Sequence, residues 1–370
     1  MSRYSDVLHK AEPPPLPVVD WASIGQTAPT PVPITYKGPD APLPTADIVV
    51  LTWTSAEWSA LDHVFLNSNT TRAPKSAYDW HKSWYLYSHT APPPPSDQSG
   101  PPLWGYYQMV EITTANGNTL RVLLFKCDAH LAHAPWFQGL YNMLVQIIND
   151  AKPQFIYSIG TAGGSREDLR LGDVVITNAA EIKIKCDENA GAPNNQTFVC
   201  DGPFPATTLL DAAEARLFFD MSTIVTDAAL QNAVVQLHDQ VPDSKSFGLN
   251  DLLNPALSPG QLHGSKALPM PGIPLLTTDY YYIATGTDST QWPVLEMDDA
   301  VIAYVAGQRG IEYAFVRNVS DPLVPNVTGG GVTIPFDVRK RWSGLIYEEF
   351  GLYTSFNGAV TTWATIAAHD

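Results

Sequence analysis

Several short stretches of this 370-residue chain place carboxylates, hydroxyls or glycines at the ends of strand-like runs. Glu57 follows ADIVVLTW, the run Gly160-Thr161-Ala162-Gly163-Gly164 follows FIYSIG, Thr277-Thr278-Asp279 follows IPLL, and Ser320-Asp321 follows EYAFVRNV. In α/β sheets ligands lie beyond the carboxyl ends of strands, so these are the positions where a site is expected. A further stretch, VLEMDDAVIAYVAGQRG, gathers Glu296, Asp298 and Asp299 and then turns apolar, with Met297, Val301, Tyr304 and Val305 at helical spacing. Acids suit a first helical turn because its free N–H groups and macrodipole attract negative charge, so locally these three read as a helix start.

GTAGG reads as a turn whose glycines allow a sharp bend or a close approach, with N–H groups suited to an oxyanion or a ribose hydroxyl. A tight strand exit without a ligand is the plain alternative. The run is no Walker loop, because no Gly-Lys-Ser/Thr follows, and it lacks the GxGxxG spacing of a dinucleotide site.

The elements that must position these groups alternate along the chain. After the ADIVVLTW strand, Ser55 is placed to cap a helix through SAEWSALDHVF. Strand-like runs at WYLYSH, LWGYYQMVEI and TLRVLLFKC precede a helix at PWFQGLYNMLVQIINDA. FIYSIG, LGDVVIT and IPLLTT read as strands, 221–239 as a helix, and EYAFVRNVS as a strand before a closing helix from about Val338. Such alternation predicts an α/β domain with a covered, parallel or mixed sheet. Residues 11–45 are proline-rich and read as an extended arm, with Trp21 and Tyr36 favouring an arm that wraps the domain. APPPPSDQSGPP reads as a surface insertion, and 178–270 as an insertion bordering the site.

Composition narrows the partners. A net charge of −16 without any basic run argues against nucleic acid and anionic membranes, and 45% hydrophobic residues with ten Trp support a large core. No run approaches a membrane span and the N-terminus lacks a secretory layout, so a cytoplasmic location is expected. Cys127, Cys186 and Cys200 lack metal-ligand spacing and are expected as free thiols.

The ordered motifs SIGTAGGSREDLRLGDVVI, LLTTDYYYI and VLEMDDAVIAYVAGQRGIEYAFVRNVSD resemble the purine nucleoside phosphorylase/uridine phosphorylase superfamily. Within it they look most like methylthioadenosine/adenosylhomocysteine nucleosidases, over roughly 47–66 and 119–350. The resemblance implies a three-layer α/β sandwich around a mixed, partly barrel-like sheet. One domain over 47–370 would follow the arm of 1–46, with insertions near 68–105 and 178–270. The implied reaction is cleavage of an N-glycosidic bond, which needs a proton for the leaving base, stabilisation of an oxocarbenium-like sugar and a nucleophile.

On the matching positions, Asp321 would protonate or hydrogen-bond a purine nitrogen beside Ser320, and Arg317 would tune local charge. Tyr281 would stack on the base and the backbone of Tyr282 would face its edge. Thr161, Ala162, Gly163, Glu296, Met297 and Asp298 would bind the sugar, with Asp298 standing where the family has Glu. Asp299 stays a helix-start acid. Glu57, otherwise an acid in a first helical turn, would activate water. The alternative is a phosphorylase, for which Arg166, His130, His133 and Lys126 are the available anion-site residues and phosphate the co-substrate. A non-catalytic nucleoside-binding or storage protein is a third reading. No cofactor or metal is expected, and a homo-oligomer is.

Overall fold

The computed structural model describes residues 13–74, 80–92, 102–254, 257–262, 264–282, 291–321 and 323–369. Most of the second proline cluster and Pro322 lie outside these residues.

The strands are β1 (Thr30–Pro31), β2 (Ile48–Thr52), β3 (Tyr85–Tyr87), β4 (Gly105–Thr113), β5 (Thr119–Cys127), β6 (Phe155–Gly164), β7 (Val174–Thr177), β8 (Ala179–Lys183), β9 (Gln196–Val199), β10 (Ala267–Pro269), β11 (Leu275–Thr278), β12 (Val294–Glu296) and β13 (Glu312–Asp321). The helices are α1 (Ser55–Leu66), α2 (Trp136–Ala151), α3 (Leu210–Arg216), α4 (Asp227–Gln240), α5 (Leu249–Leu252), α6 (Asp299–Gly307) and α7 (Phe336–Ala367).

Strand β2 shows why the molecule has three layers. All five of its residues are buried, and successive side chains point to opposite faces. Ile48 and Val50 join a core with residues of α1, α3, α4 and α7, while Val49 and Leu51 join one with residues of α2 and α6. A strand covered on both sides needs no polar alternation, which is why it reads as a continuous apolar run.

The sheet is mixed. β2 pairs in parallel with β5 and β6, and β4 and β5 form a long antiparallel pair. β6 is the branch point: it also pairs in parallel with β13, while Gly163 and Gly164 at its end meet β12 antiparallel. β13 continues to β7, and β8, which follows β7 after Asn178, pairs with β11, which pairs with β12. This half of the sheet therefore curls around β6, whereas the whole remains open between β1 and β9.

Four local readings change. Thr54, not Ser55, is the N-cap of α1: its hydroxyl accepts from the Glu57 amide at 3.4 Å while Glu57 accepts from the Thr54 amide at 2.8 Å, a reciprocal capping box. GTAGG is no turn, because β6 runs through Gly164 with β13 beside it as far as Asp321. VLE is strand β12, and the helix begins only at Asp299. Helix α4 starts at Asp227, after a short 3-10 turn at Met221–Thr223.

The described part of the arm lies against the domain. Trp21 is buried with its ring 4.2 Å from that of Trp363, β1 pairs with β4, and the Leu43 amide donates to Asp150 at 3.0 Å. Helices α3 and α4 pack on α7, whose second half is buried nearly all round. No helix of the described residues is long and apolar enough to cross a membrane. Cys127, Cys186 and Cys200 are free.

One threonine joins this frame to the acids at the start of α6. Buried Thr277 donates its hydroxyl to Glu296 and accepts from the Ala300 amide at 2.9 Å. Thr277→Val keeps the shape and removes both bonds, so it should lower unfolding free energy by about 1–2 kcal/mol in urea titration. A loss below the error of that measurement would show that the hydroxyl does not hold the helix start.

Candidate active site

Where β6, β11, β12 and β13 end, a cavity of about 270 Å³ opens. It is lined by every residue expected to act there: Glu57, Thr161, Ala162, Gly163, Tyr281, Tyr282, Glu296, Met297, Asp298, Arg317, Ser320 and Asp321. The parallel register of β13 on β6 puts Arg317 opposite Gly160 and Asp321 opposite Gly163. That register explains the glycines. A Cβ at Gly160 would run into the Arg317 guanidinium and sit 2.9 Å from Glu57 Oε1, and one at Gly163 would sit 3.3 Å from Asp321 Oδ2. Neither glycine has positive φ, so close approach and not bending is what requires them.

Arg317 organises the acids. It is 3% exposed, forms a two-pronged pair with Asp299 (Nε to Oδ2 2.7 Å), donates to Ser158 Oγ at 2.6 Å and lies 3.5 Å from Glu296 Oε2. Asp299 does open α6, yet its buried carboxylate belongs to Arg317 and is no mere helix-start acid.

Glu57 is an acceptor on both oxygens. Oε2 receives the amides of Trp53 (2.9 Å) and Thr54 (2.8 Å) and the Thr52 hydroxyl (3.1 Å), and Oε1 receives the amide (2.8 Å) and hydroxyl (2.7 Å) of Thr161. Burial alone would push this carboxyl up, but Arg317 and the bonds from Thr161 and Thr54 outweigh it and hold the pKa below the usual range. Glu57 therefore stays charged.

Glu296 caps α6, its Oε2 accepting from the amides of Asp298 (2.6 Å) and Asp299 (3.0 Å). Burial, with the neighbouring Asp299 carboxylate, pushes it up to about 8. Because Glu296 and Thr277 satisfy the helix start, Asp298 sits at the N-cap position without using its side chain there. Its Oδ1 instead accepts from the Leu131 amide at 3.0 Å and its Oδ2 lies 3.3 Å from His130 Nε2. Burial pushes Asp298 up to about 7.

Asp321 is held by two hydroxyls. Ser320 donates to Oδ1 and Ser343 to Oδ2, both at 2.8 Å, and Tyr281 donates to Ser343 at 2.9 Å, which fixes the half-exposed Tyr281 ring beside the acid. Burial pushes Asp321 up to about 6 against the lowering by both serines.

Trp53, Thr54, His130, Thr278, Tyr280, Leu295, Gly344 and Tyr347 also line the cavity. Those next to strand ends share the signal that marked their neighbours. Ser343, Gly344 and Tyr347 come from α7, more than twenty residues beyond Asp321, and carry no local signal beyond a helical spacing of 343 and 347. Of the anion-site candidates only His130 lines the cavity: Arg166 is exposed and paired with Asp168 (2.8 Å), Lys126 is paired with Asp128 (3.1 Å), and His133 stacks on His130. Among the described residues none of 178–270 lines the cavity, and Lys185 lies over the Tyr280 ring at 3.7 Å. Among the described residues no group of three or more His, Cys, Asp or Glu is placed to hold a metal ion.

The chain belongs to the phosphorylase superfamily, which it matches over residues 141–336, more than half its length. It is similar to the solved 5′-methylthioadenosine/S-adenosylhomocysteine nucleosidase of Neisseria meningitidis in complex with methylthio-immucillin-A, at 13% identity over 87% of this chain and 99% of that one, TM-score 0.46. The same enzyme of Helicobacter pylori with butyl-thio-DADMe-Immucillin-A matches at 10% identity over 87% and 98%, TM-score 0.43. A putative enzyme of that kind from Borrelia burgdorferi bound to adenine matches at 14% over 86% and 98%, TM-score 0.44. No curated protein matches.

The tight seat of Arg317 and Glu57 against Gly160 makes a direct prediction. Gly160→Ala should cost about 1–3 kcal/mol in denaturant unfolding, as overpacking does, whereas Gly191→Ala, with open space around it, should cost little. Equal losses for the two would mean that close approach is not what requires Gly160.

Proposed function

We propose that the protein hydrolyses the N-ribosyl bond of a purine nucleoside. The observation that carries this reading is the pairing, in one cavity, of an acid poised to give up a proton with a carboxylate that stays charged. Asp321 sits on Gly163 and Glu57 on Gly160, separated by about 10 Å of strand, room for a base at one and a sugar at the other.

Asp321, pushed up to about 6, retains a proton in slightly acidic solution and can pass it to a ring nitrogen of the departing purine. Its hydroxyl partners serve either state, since Ser320 and Ser343 can donate to the carboxylate or accept from the acid. The Tyr281 ring, tied through Ser343 to the same acid, offers the base a stacking face. As the bond breaks, positive charge grows on the sugar, and charged Glu57 faces it in a buried site where such attraction is strong. Oε1 of Glu57 would take the attacking water if the Thr161 hydroxyl turns away from it.

Hydrolysis is favoured over phosphate attack by charge. Arg317 is the one Lys or Arg among the lining residues, and Asp299 and Glu57 already outweigh it, so a phosphate dianion would meet net negative surroundings.

The test is purine release from adenosine, methylthioadenosine, inosine and guanosine with and without phosphate. Release should not need phosphate; strict dependence on it would make the protein a phosphorylase, and tight binding without release would make it a nucleoside-binding protein. Asp321→Asn should lower kcat/KM by roughly 10²–10⁴-fold. Because the proton on Asp321 is the one used, wild-type kcat should fall as pH rises through about 6, and that limb should vanish in Asp321→Asn. Persistence of the limb would assign it to another group. Glu57→Gln should also lose roughly 10²-fold or more, and full activity in that variant would remove Glu57 from the mechanism.

A further inference from the structure

Asp298 occupies a helix N-cap without capping, because Glu296 and the Thr277 hydroxyl satisfy the amides at the start of α6. Its carboxylate reaches instead to the loop after β5, and that loop is built to receive it. The Ala129 carbonyl accepts from Trp53 Nε1 at 2.9 Å, and Asn189 donates to the Leu131 carbonyl at 2.9 Å while accepting from the Phe137 amide at 2.8 Å. Between these anchors the Leu131 amide points at Asp298 Oδ1.

The tautomer of His130 follows from the same loop. Its Nδ1 accepts the Ala132 amide at 2.9 Å, so the ring proton of the neutral imidazole lies on Nε2, which faces Asp298 Oδ2 at 3.3 Å. The ring is also fixed by stacking on His133, centroids 4.8 Å apart and planes 20° apart. Burial holds His130 down at about 4, so it meets Asp298 as a neutral donor.

We infer that His130 is a positioning residue for Asp298: its ring edge, 3.3 Å from Oδ2, and the Leu131 amide bonded to Oδ1 fix the carboxylate as the acceptor of a sugar hydroxyl. The inference rests on the nucleosidase reading and deepens it. Asp298 alone is short and buried among like charges; held by the Leu131 amide and seated against the His130 ring edge, it presents its remaining lone pairs to the cavity. The groups facing it are His130 and Cys127 from β5 and its loop, Glu57 from α1, Glu296 and Asp299 from its own segment, and Arg317 from β13. Lys126 and His133 complete the surroundings of His130. Because an ionised Asp298 accepts a hydroxyl more strongly than a protonated one, sugar binding should strengthen as pH rises through about 7.

Two substitutions separate the two edges of the ring. His130→Asn keeps an acceptor near Nδ1 for the Ala132 amide but cannot reach Asp298, whereas His130→Gln places an amide donor near Nε2. Each is compared with wild type for kcat and KM on adenosine and methylthioadenosine from pH 5 to 9, and for inhibition by adenine. His130→Asn should raise KM about 10-fold, as losing the polar contact that seats a charged group does. It should also move the rising limb to higher pH and leave the Ki of adenine unchanged. His130→Gln should recover most of the KM and the wild-type limb. An asparagine variant with wild-type KM and limb, a glutamine variant no better than it, or an equal loss of adenine binding would each overturn the inference. Should wild type release purine from no nucleoside, the nucleosidase reading itself fails, a result distinct from any of these.

Discussion

One buried guanidinium holds the site together. Arg317 lies at the centre of the sheet with Asp299, Glu296 and Glu57 around it. Ions removed from water cost several kcal/mol each, so such a group persists only where its hydrogen bonds are completed and its charge balanced. Asp299 and Ser158 complete the guanidinium, Gly160 leaves it the space, and the register of β13 on β6 delivers it there. The carboxylates in turn owe their places to it: Glu57 is held ionised by Arg317 together with Thr161 and Thr54.

Around that centre the acids divide their work by hydrogen bonding, and chain position alone does not sort them. Glu57 and Glu296 each receive backbone amides on a carboxylate oxygen, and both serve helix starts, of α1 and α6. Asp299 completes Arg317. Asp298 faces the loop after β5, with Leu131 bonded to it and His130 beside it, and Asp321 takes the hydroxyls of Ser320 and Ser343. Those two are also pushed up, to about 7 and about 6, by burial. Glu296, which also takes amides and faces Arg317, is pushed up to about 8, so of these five acids only Glu57, with donors on both oxygens, stays below the usual range.

Much of this was legible before any coordinates. The strands at 48–52, 119–127, 155–160, 275–278 and 312–320 were visible because strands buried on both faces read as apolar runs. Their ends marked the site because ligands gather at strand carboxyl ends. GTAGG was misread as a turn because glycines signal bends as well as close contacts, and only the neighbouring strand tells which. Asp299 was misread because an acid in a first helical turn looks the same whether or not a guanidinium from a strand eighteen residues on reaches it.

The sequence by itself determined the apolar strands, the ordered motifs and therefore the superfamily, since these depend on residue types close together in the chain. Tertiary structure alone decided which acid does what. Ser343 arrives on α7 and Arg317 across β6, and each holds a carboxyl far from it in the chain, while His130 on the loop after β5 lies 3.3 Å from Asp298. Charge and hydrogen bonding act through space over a few ångströms, so the roles of Asp298, Asp299 and Asp321 follow from contacts that spacing along the chain does not encode.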